Sequence, residues 1–213
     1  MTTTGEQQRA PRPGSAPHGH GLRLDRWNPD TKGDAAAWLR GRTDPEFRRW
    51  NTPLTTETDL AGARAALVRL REQTADGTCA PFRITDAESG TVLGHIGINM
   101  IDPVSRSARV GYWVLPEARG RRVATRALTL AARWTFAELG LHRLELGHAL
   151  GHEASCRIAQ KCGFPYEGTL RGAMFEAGRQ DVFRDVHLHA RLATDPETAL
   201  GGPPRRTAAK EGR

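Results

Sequence analysis

The stretch Gly111–Leu128, GYWVLPEARGRRVATRAL, decides how this chain is read. Its first residues mix aromatic and aliphatic side chains as a strand does, and Pro116 ends that pattern. Three arginines, Arg119, Arg121 and Arg122, then surround Gly120 before apolar residues recur at helical spacing. Val123, Ala127, Leu130, Ala131 and Trp134 share one stripe, and Gly140 supplies the stop. A strand that turns through such a loop into a helix gathers free backbone N–H groups and a partial positive charge at one point. With guanidinium groups beside it, that point suits a phosphate-bearing ligand. A solvated arginine-rich loop is the competing reading of the same residues.

The flanking sequence supplies the layers. Upstream, LRLDRW (Leu22 to Trp27) alternates like a strand, a helix is expected from about Asp34 to Arg42, and a second begins at Leu60 behind the capping residues Thr56 to Asp59. The runs APFRITD, TVLGHIGINMID and SARVGYWVL are separated by short polar links, which predicts an antiparallel meander with Ile96, Ile98 and Met100 on one face. Downstream come a strand, HRLELGHAL, a helix, HEASCRIAQKCG, and a final strand pair, FPYEGTLRG and DVFRDVHLHARL. Trp113 and Trp134 fall at core positions. The order of elements predicts an α/β (α+β) fold with a mixed, mostly antiparallel sheet and flanking helices.

A chain of 213 residues with 38% hydrophobic composition can bury one full core, so one domain is expected over residues 21–194, between flexible tails at 1–20 and 195–213. Lysine and arginine outnumber the acids 31 to 24, a formal charge of +7 that favours an acidic partner. Three cysteines without a framework spacing, no apolar run near the roughly 18 residues a membrane helix needs, and no signal pattern point to the cytoplasm and to no membrane partner. Interleaved exposed aromatics and RNA motifs are missing, so nucleic acid is not the expected partner, and a homodimer is left open.

With these residues in place, Gly111 to Arg171 resembles the GNAT superfamily of acyl-CoA-dependent N-acyltransferases, most closely its ribosomal-protein N-terminal acetyltransferase (RimJ/RimL-like) branch. The resemblance is carried by GYWVLPEARGRRVATRAL, HRLEL, EASCRIAQKCGF and EGTLR, and upstream by RLDRW, PEFRRWNTP and TETDLAGARAAL. It implies acetyl-CoA as cosubstrate, a splayed central strand pair, and an amine acceptor that is a protein N-terminus or a small amine such as an antibiotic or polyamine. Backbone groups of Val114 and Leu115 would bond the pantetheine arm by strand addition. The loop Arg119, Gly120, Arg121, Arg122, Val123, Ala124 and Thr125 would wrap the pyrophosphate. Arg122 stands where the family loop carries its middle glycine.

The resemblance also distributes the chemistry. The family's usual tyrosine position is Ala159 here, and the asparagine and serine of the branch correspond to His152 and Ser155. Ser155 is expected near the CoA sulfur, against a simple capping role, and His152 beside the pantetheine. A glutamate frequent before the GYW run is replaced by Arg109, which leaves His95 as the candidate base on the preceding strand, where packing is the bland alternative. Trp50, in a loop, and Arg171 are candidates for the acceptor wall. No paired CxxC or HxxxH motif occurs, so no metal is expected; His187 and His189 share a strand face without an evident partner.

Overall fold

The computed structural model describes residues 16–51, 56–176 and 179–197. Most of both expected tails, residues 1–15 and 198–213, and Thr52 to Thr55 lie outside the described residues. The chain forms β1 (His18–Gly19), β2 (Leu22–Arg26), α1 (Lys32–Thr43), α2 (Pro45–Trp50), α3 (Leu60–Ala75), β3 (Ala80–Asp86), β4 (Val92–Asp102) and β5 (Ser107–Val114). After a single 3-10 turn at Pro116–Ala118 come α4 (Val123–Glu138), β6 (Arg143–Ala149), α5 (Glu153–Lys161), β7 (Tyr166–Glu176) and β8 (Arg179–Leu192). The sheet begins inside the segment read as tail, because His20 and Gly21, both at positive φ, make a two-residue hairpin that pairs His18 with Arg23.

One sheet of eight strands carries the order β1-β2-β3-β4-β5-β6-β8-β7. Every pairing is antiparallel except β5 with β6, where α4 is the crossover that parallel neighbours require. The helix caps follow the sequence: the Asp59 carboxylate accepts from Gly62 N at 2.7 Å to start α3, and the Asp44 carboxylate accepts from Phe47 N at 3.1 Å to start α2.

The two faces carry separate cores. On one, Leu24, Phe82, Ile96, Ile98 and Val110 pack against Ala127, Leu128, Ala131 and Trp134 of α4. On the other, Trp27, Trp38, Phe47, Leu67, Trp113 and Leu115 join α1, α2 and α3 to the sheet. Met100 does not share the buried face of Ile96 and Ile98. The β4 register breaks between Asn99 and Asp102, Met100 takes φ +52, and its side chain is 64% exposed. A bulge at a strand end turns the alternation over, and hydrophobicity alone does not reveal it.

Trp113 is the tightest joint between strand and helix. A Cβ on Gly41 of α1 would lie 2.2 Å from its Cζ3 atom, so the glycine lets the helix backbone rest on the indole. Gly41→Ala should therefore destabilise the fold by about 1–3 kcal/mol, the usual cost of overpacking. Gly33, exposed on the same helix with nothing within 4 Å of where a Cβ would stand, is the control. Gly33→Ala should stabilise by roughly 0.5–1 kcal/mol. Urea denaturation of both variants checks the opposite signs.

Candidate active site

The site begins where β5 leaves β6. The parallel pairing comprises Ser107 with Arg143, Ala108 with Leu144 and Arg109 with Glu145, and stops there. Beyond Arg109, β5 stays paired to β4 as far as Val114, while β6 continues along β8 to Ala149. The two strands therefore diverge in the middle of the sheet, as the resemblance implied. A cavity of about 400 Å³ lies at the mouth of the gap, and a smaller one of about 50 Å³ runs inward between Val110, Gly111 and Leu146. Tyr112, Trp50, His152 and Ser155 border both.

Of the basic loop, Arg119, Gly120, Arg122, Val123, Ala124 and Thr125 line the larger cavity, as does Val114 of β5. Gly120 holds φ +74 and Arg122 holds φ +56, ψ +23, so the chain makes two left-handed steps before α4 begins. Arg122 is the residue before the helix, and its carbonyl accepts the first helical bond from Arg126 N at 3.1 Å. The amides of Val123, Ala124 and Thr125 precede that bond and are the orphan donors of the helix start. Arg122 thus stands in a conformation that suits glycine, at a cost on the order of 1 kcal/mol.

The other loop arginines act differently from one another. Arg119 forms an ion pair with Asp44, the same carboxylate that caps α2, and so ties the loop to the helix across the cavity. Arg40 pairs with Glu117 at 2.6 Å along the same seam. Arg121 is exposed and borders neither cavity.

Ser155 is buried in the first turn of α5 and is the centre of a polar chain. The Tyr112 hydroxyl donates to Ser155 Oγ at 3.3 Å, and Ser155 Oγ lies 3.1 Å from His152 Nδ1. His152 stacks on Trp50 with ring centres 4.6 Å apart and planes 3° apart, and Trp50 Nε1 donates to Glu46 at 2.6 Å. Burial, reinforced by His148 and Arg49, lowers His152 to about 4, so its ring is neutral at physiological pH. Burial likewise raises the Tyr112 phenol above its ordinary value, which keeps its proton in place as a donor.

Four expectations need correction. Leu115 is buried and borders neither cavity; its N–H is already given to Leu93 O at 2.9 Å, so it has none to offer a pantetheine. His95 also borders neither cavity. It accepts from Trp27 Nε1 at 3.0 Å and packs against Trp27, Trp38 and Trp113, the bland alternative. Arg171 is exposed, falls where the β7 register breaks between Leu170 and Met174, and is absent from both cavity walls. Trp50 does reach the cavities, but as the last residue of α2 and not from a loop. Tyr112 is the residue that sequence reasoning missed, although it sits inside the GYW run itself.

An acyl carrier with a diphosphate fits this arrangement: orphan amides and Arg122 face one end of the cavity, and the unpaired side of β5 continues from it. Residues 22–165 match the acetyltransferase (GNAT) domain family. The chain belongs to that family. A ribosomal-protein-serine acetyltransferase of Escherichia coli (strain K12) is 31% identical over 102 residues, 47% of this chain and 55% of that protein. A spermidine N(1)-acetyltransferase of Vibrio cholerae is 31% identical over 117 residues, 54% of this chain and 67% of that protein. The matched region thus spans from about half to two thirds of these curated relatives' length. Among solved structures, Mycobacterium smegmatis RimJ in complex with CoA-disulfide superposes with a TM-score of 0.70 at 27% identity, covering 81% of this GNAT chain and 82% of that one.

Two variants separate charge from conformation at Arg122. Arg122→Gly should relieve the left-handed strain and leave stability the same or up to about 1 kcal/mol higher, whereas Arg122→Ala should not. Both should weaken CoA binding several-fold, as read by calorimetry, because both remove the guanidinium. A CoA affinity unchanged in both would take that side chain out of the site.

The His95 environment carries a pH signature. Burial, then repulsion from Arg42, lowers it to about 3 from an ordinary value of 6.5. The unfolded chain then binds the proton more readily than the folded one between those values, so stability falls as pH drops from 6.5 toward 3. His95→Gln, which keeps an acceptor for Trp27, should show a smaller loss of denaturation midpoint between pH 7 and pH 4 than the parent.

Proposed function

We propose that the protein is an acetyl-CoA-dependent N-acetyltransferase that acetylates a primary amine, with a protein N-terminal α-amino group as the acceptor. The observation that carries this reading is the gap between β5 and β6, with the α4 amides at its mouth and Ser155 beside its inner end. The unpaired side of β5 offers main-chain groups to the amides of the pantetheine arm, which brings the thioester beside Tyr112 and Ser155.

In the transfer the amine nitrogen bonds to the acetyl carbon as the carbon–sulfur bond breaks. The nitrogen loses a proton and the sulfur gains one. Ser155 Oγ accepts from Tyr112 and, by turning its one hydrogen from His152 Nδ1 to the departing sulfur, gives up that proton as it takes the one released by the amine. Neutral His152 orients that hydroxyl through its ring nitrogen without adding a charge. An α-amino group, with a pKa of roughly 7.7–8.0, is neutral in appreciable fraction at physiological pH and needs no strong base. Among the described residues the two cavities offer one carboxylate, Glu46, against Arg119 and Arg122. A single carboxylate is a poor match for a polycation such as spermidine, the acceptor named for one of the relatives, and favours an α-amine.

Release of free thiol from acetyl-CoA, followed with a panel of peptides and with spermidine, tests the assignment. Ser155→Ala should lower kcat by roughly tenfold or more while CoA affinity stays within about twofold. Equal loss of both would make Ser155 a binding or capping residue, and turnover of spermidine in preference to every peptide would replace the acceptor.

A further inference from the structure

His148 of β6, His189 of β8 and Cys156 of α5 stand together although 41 residues separate the two histidines. One nitrogen from each ring and the Cys156 sulfur all lie within 4.8 Å of one another. His189 is fully buried and His148 is 6% exposed. His148 Nδ1 lies 3.1 Å from Ala149 O, and His189 Nδ1 lies 3.0 Å from Phe164 O. A carbonyl only accepts, so each Nδ1 carries the hydrogen and each Nε2 is left with a bare lone pair. Both Nε2 atoms are buried and have no hydrogen-bond partner. Leaving two such acceptors unpaired costs free energy, and imidazoles held by a backbone carbonyl through Nδ1 are in the tautomer that ligates metals through Nε2.

We infer that His148 Nε2, His189 Nε2 and Cys156 Sγ form a binding site for a thiophilic divalent transition metal, Zn²⁺ in the first instance, with the fourth position taken by water or by His187. The His187 ring, opposite His148 in the sheet register, lies 5.5 Å from it. Two nitrogens and a thiolate are a zinc donor set, with bonds of about 2.0–2.3 Å, so the three ligand atoms would draw together by about 1 Å on binding. The Cys156 proton leaves to solvent as the thiolate binds. The site is separate from the acetyl-transfer reading, although His148 also borders the smaller cavity.

The test uses the untagged full-length chain, stripped with a chelator, titrated with Zn²⁺ by calorimetry and with Co²⁺ by absorption. One equivalent of saturable uptake is expected, with a thiolate-to-cobalt charge-transfer band. Cys156→Ser should abolish the band and weaken Zn²⁺ by more than the roughly tenfold that even an outer-sphere loss costs. His189→Gln should weaken it similarly, and His142→Gln, at an exposed position, should not. Should His189→Gln fail to fold by circular dichroism, the half-buried, near-isosteric Cys156→Ser decides. Absence of saturable uptake, or a band that survives in Cys156→Ser, overturns the site. Neither outcome tests the acetyl-transfer assignment, which stands on the β5–β6 gap.

Discussion

The early parting of β5 from β6 is the constraint on which the rest depends. Three residue pairs hold the strands parallel, and beyond Arg109 one side of β5 has no strand partner in the interior of the sheet. Exposed main-chain groups at that depth need water or a ligand. Parallel direction then does further work. Because β5 and β6 run the same way, the helix that follows each begins at the same end of the sheet, so α4 and α5 both present their first turns to the gap. One supplies orphan amides and Arg122, the other supplies Ser155. The two ends of the cavity are thereby set by topology before any side chain is chosen.

The second core holds the opposite wall. Trp113 fills the space under Gly41, and the same cluster carries Phe47 of α2, so that helix is fixed over the cavity by packing. Two polar links finish the wall: Arg119 to Asp44 at the loop, and Trp50 stacked on His152 at the α5 entrance. Asp44 serves both as helix cap and as ion-pair partner, which makes the α2 start and the arginine loop one unit. Arg119 is therefore a strut of the cavity as much as a candidate for the ligand.

What was legible in the sequence was local in origin. Alternation with period two and the α4 stripe located β2, β3, β5 and α4, because those patterns follow from how side chains leave a strand or a helix. The loop Gly120–Thr125 was legible because glycine, arginine and a helix start stand consecutively. The misplacements involve contacts between distant segments. Leu115 loses its free amide to Leu93, His95 is claimed by Trp27, and the Tyr112–Ser155 hydrogen bond joins residues 43 apart. Met100 was misread because a bulge reverses the facing of a strand without changing its composition. The His148, Cys156 and His189 cluster has no spacing signature, since three separate elements contribute to it.

Adjacent residues of α5 divide between the two clusters. Ser155 faces Tyr112 and the cavity, and Cys156 faces His148 and His189. In a helix successive side chains are about 100° apart, so the first turn of α5 stands between the gap and the histidine cluster. A metal bound to Cys156 would fasten that turn to β6 and β8 by bonds far stiffer than the packing of a nine-residue helix. The Ser155 hydroxyl, held at 3.3 Å from Tyr112, would then be positioned by the sheet on both sides: through Tyr112 from β5, and through the metal from β6 and β8. The divergence that opens the cavity leaves α5 bridging two strands that no longer bond each other.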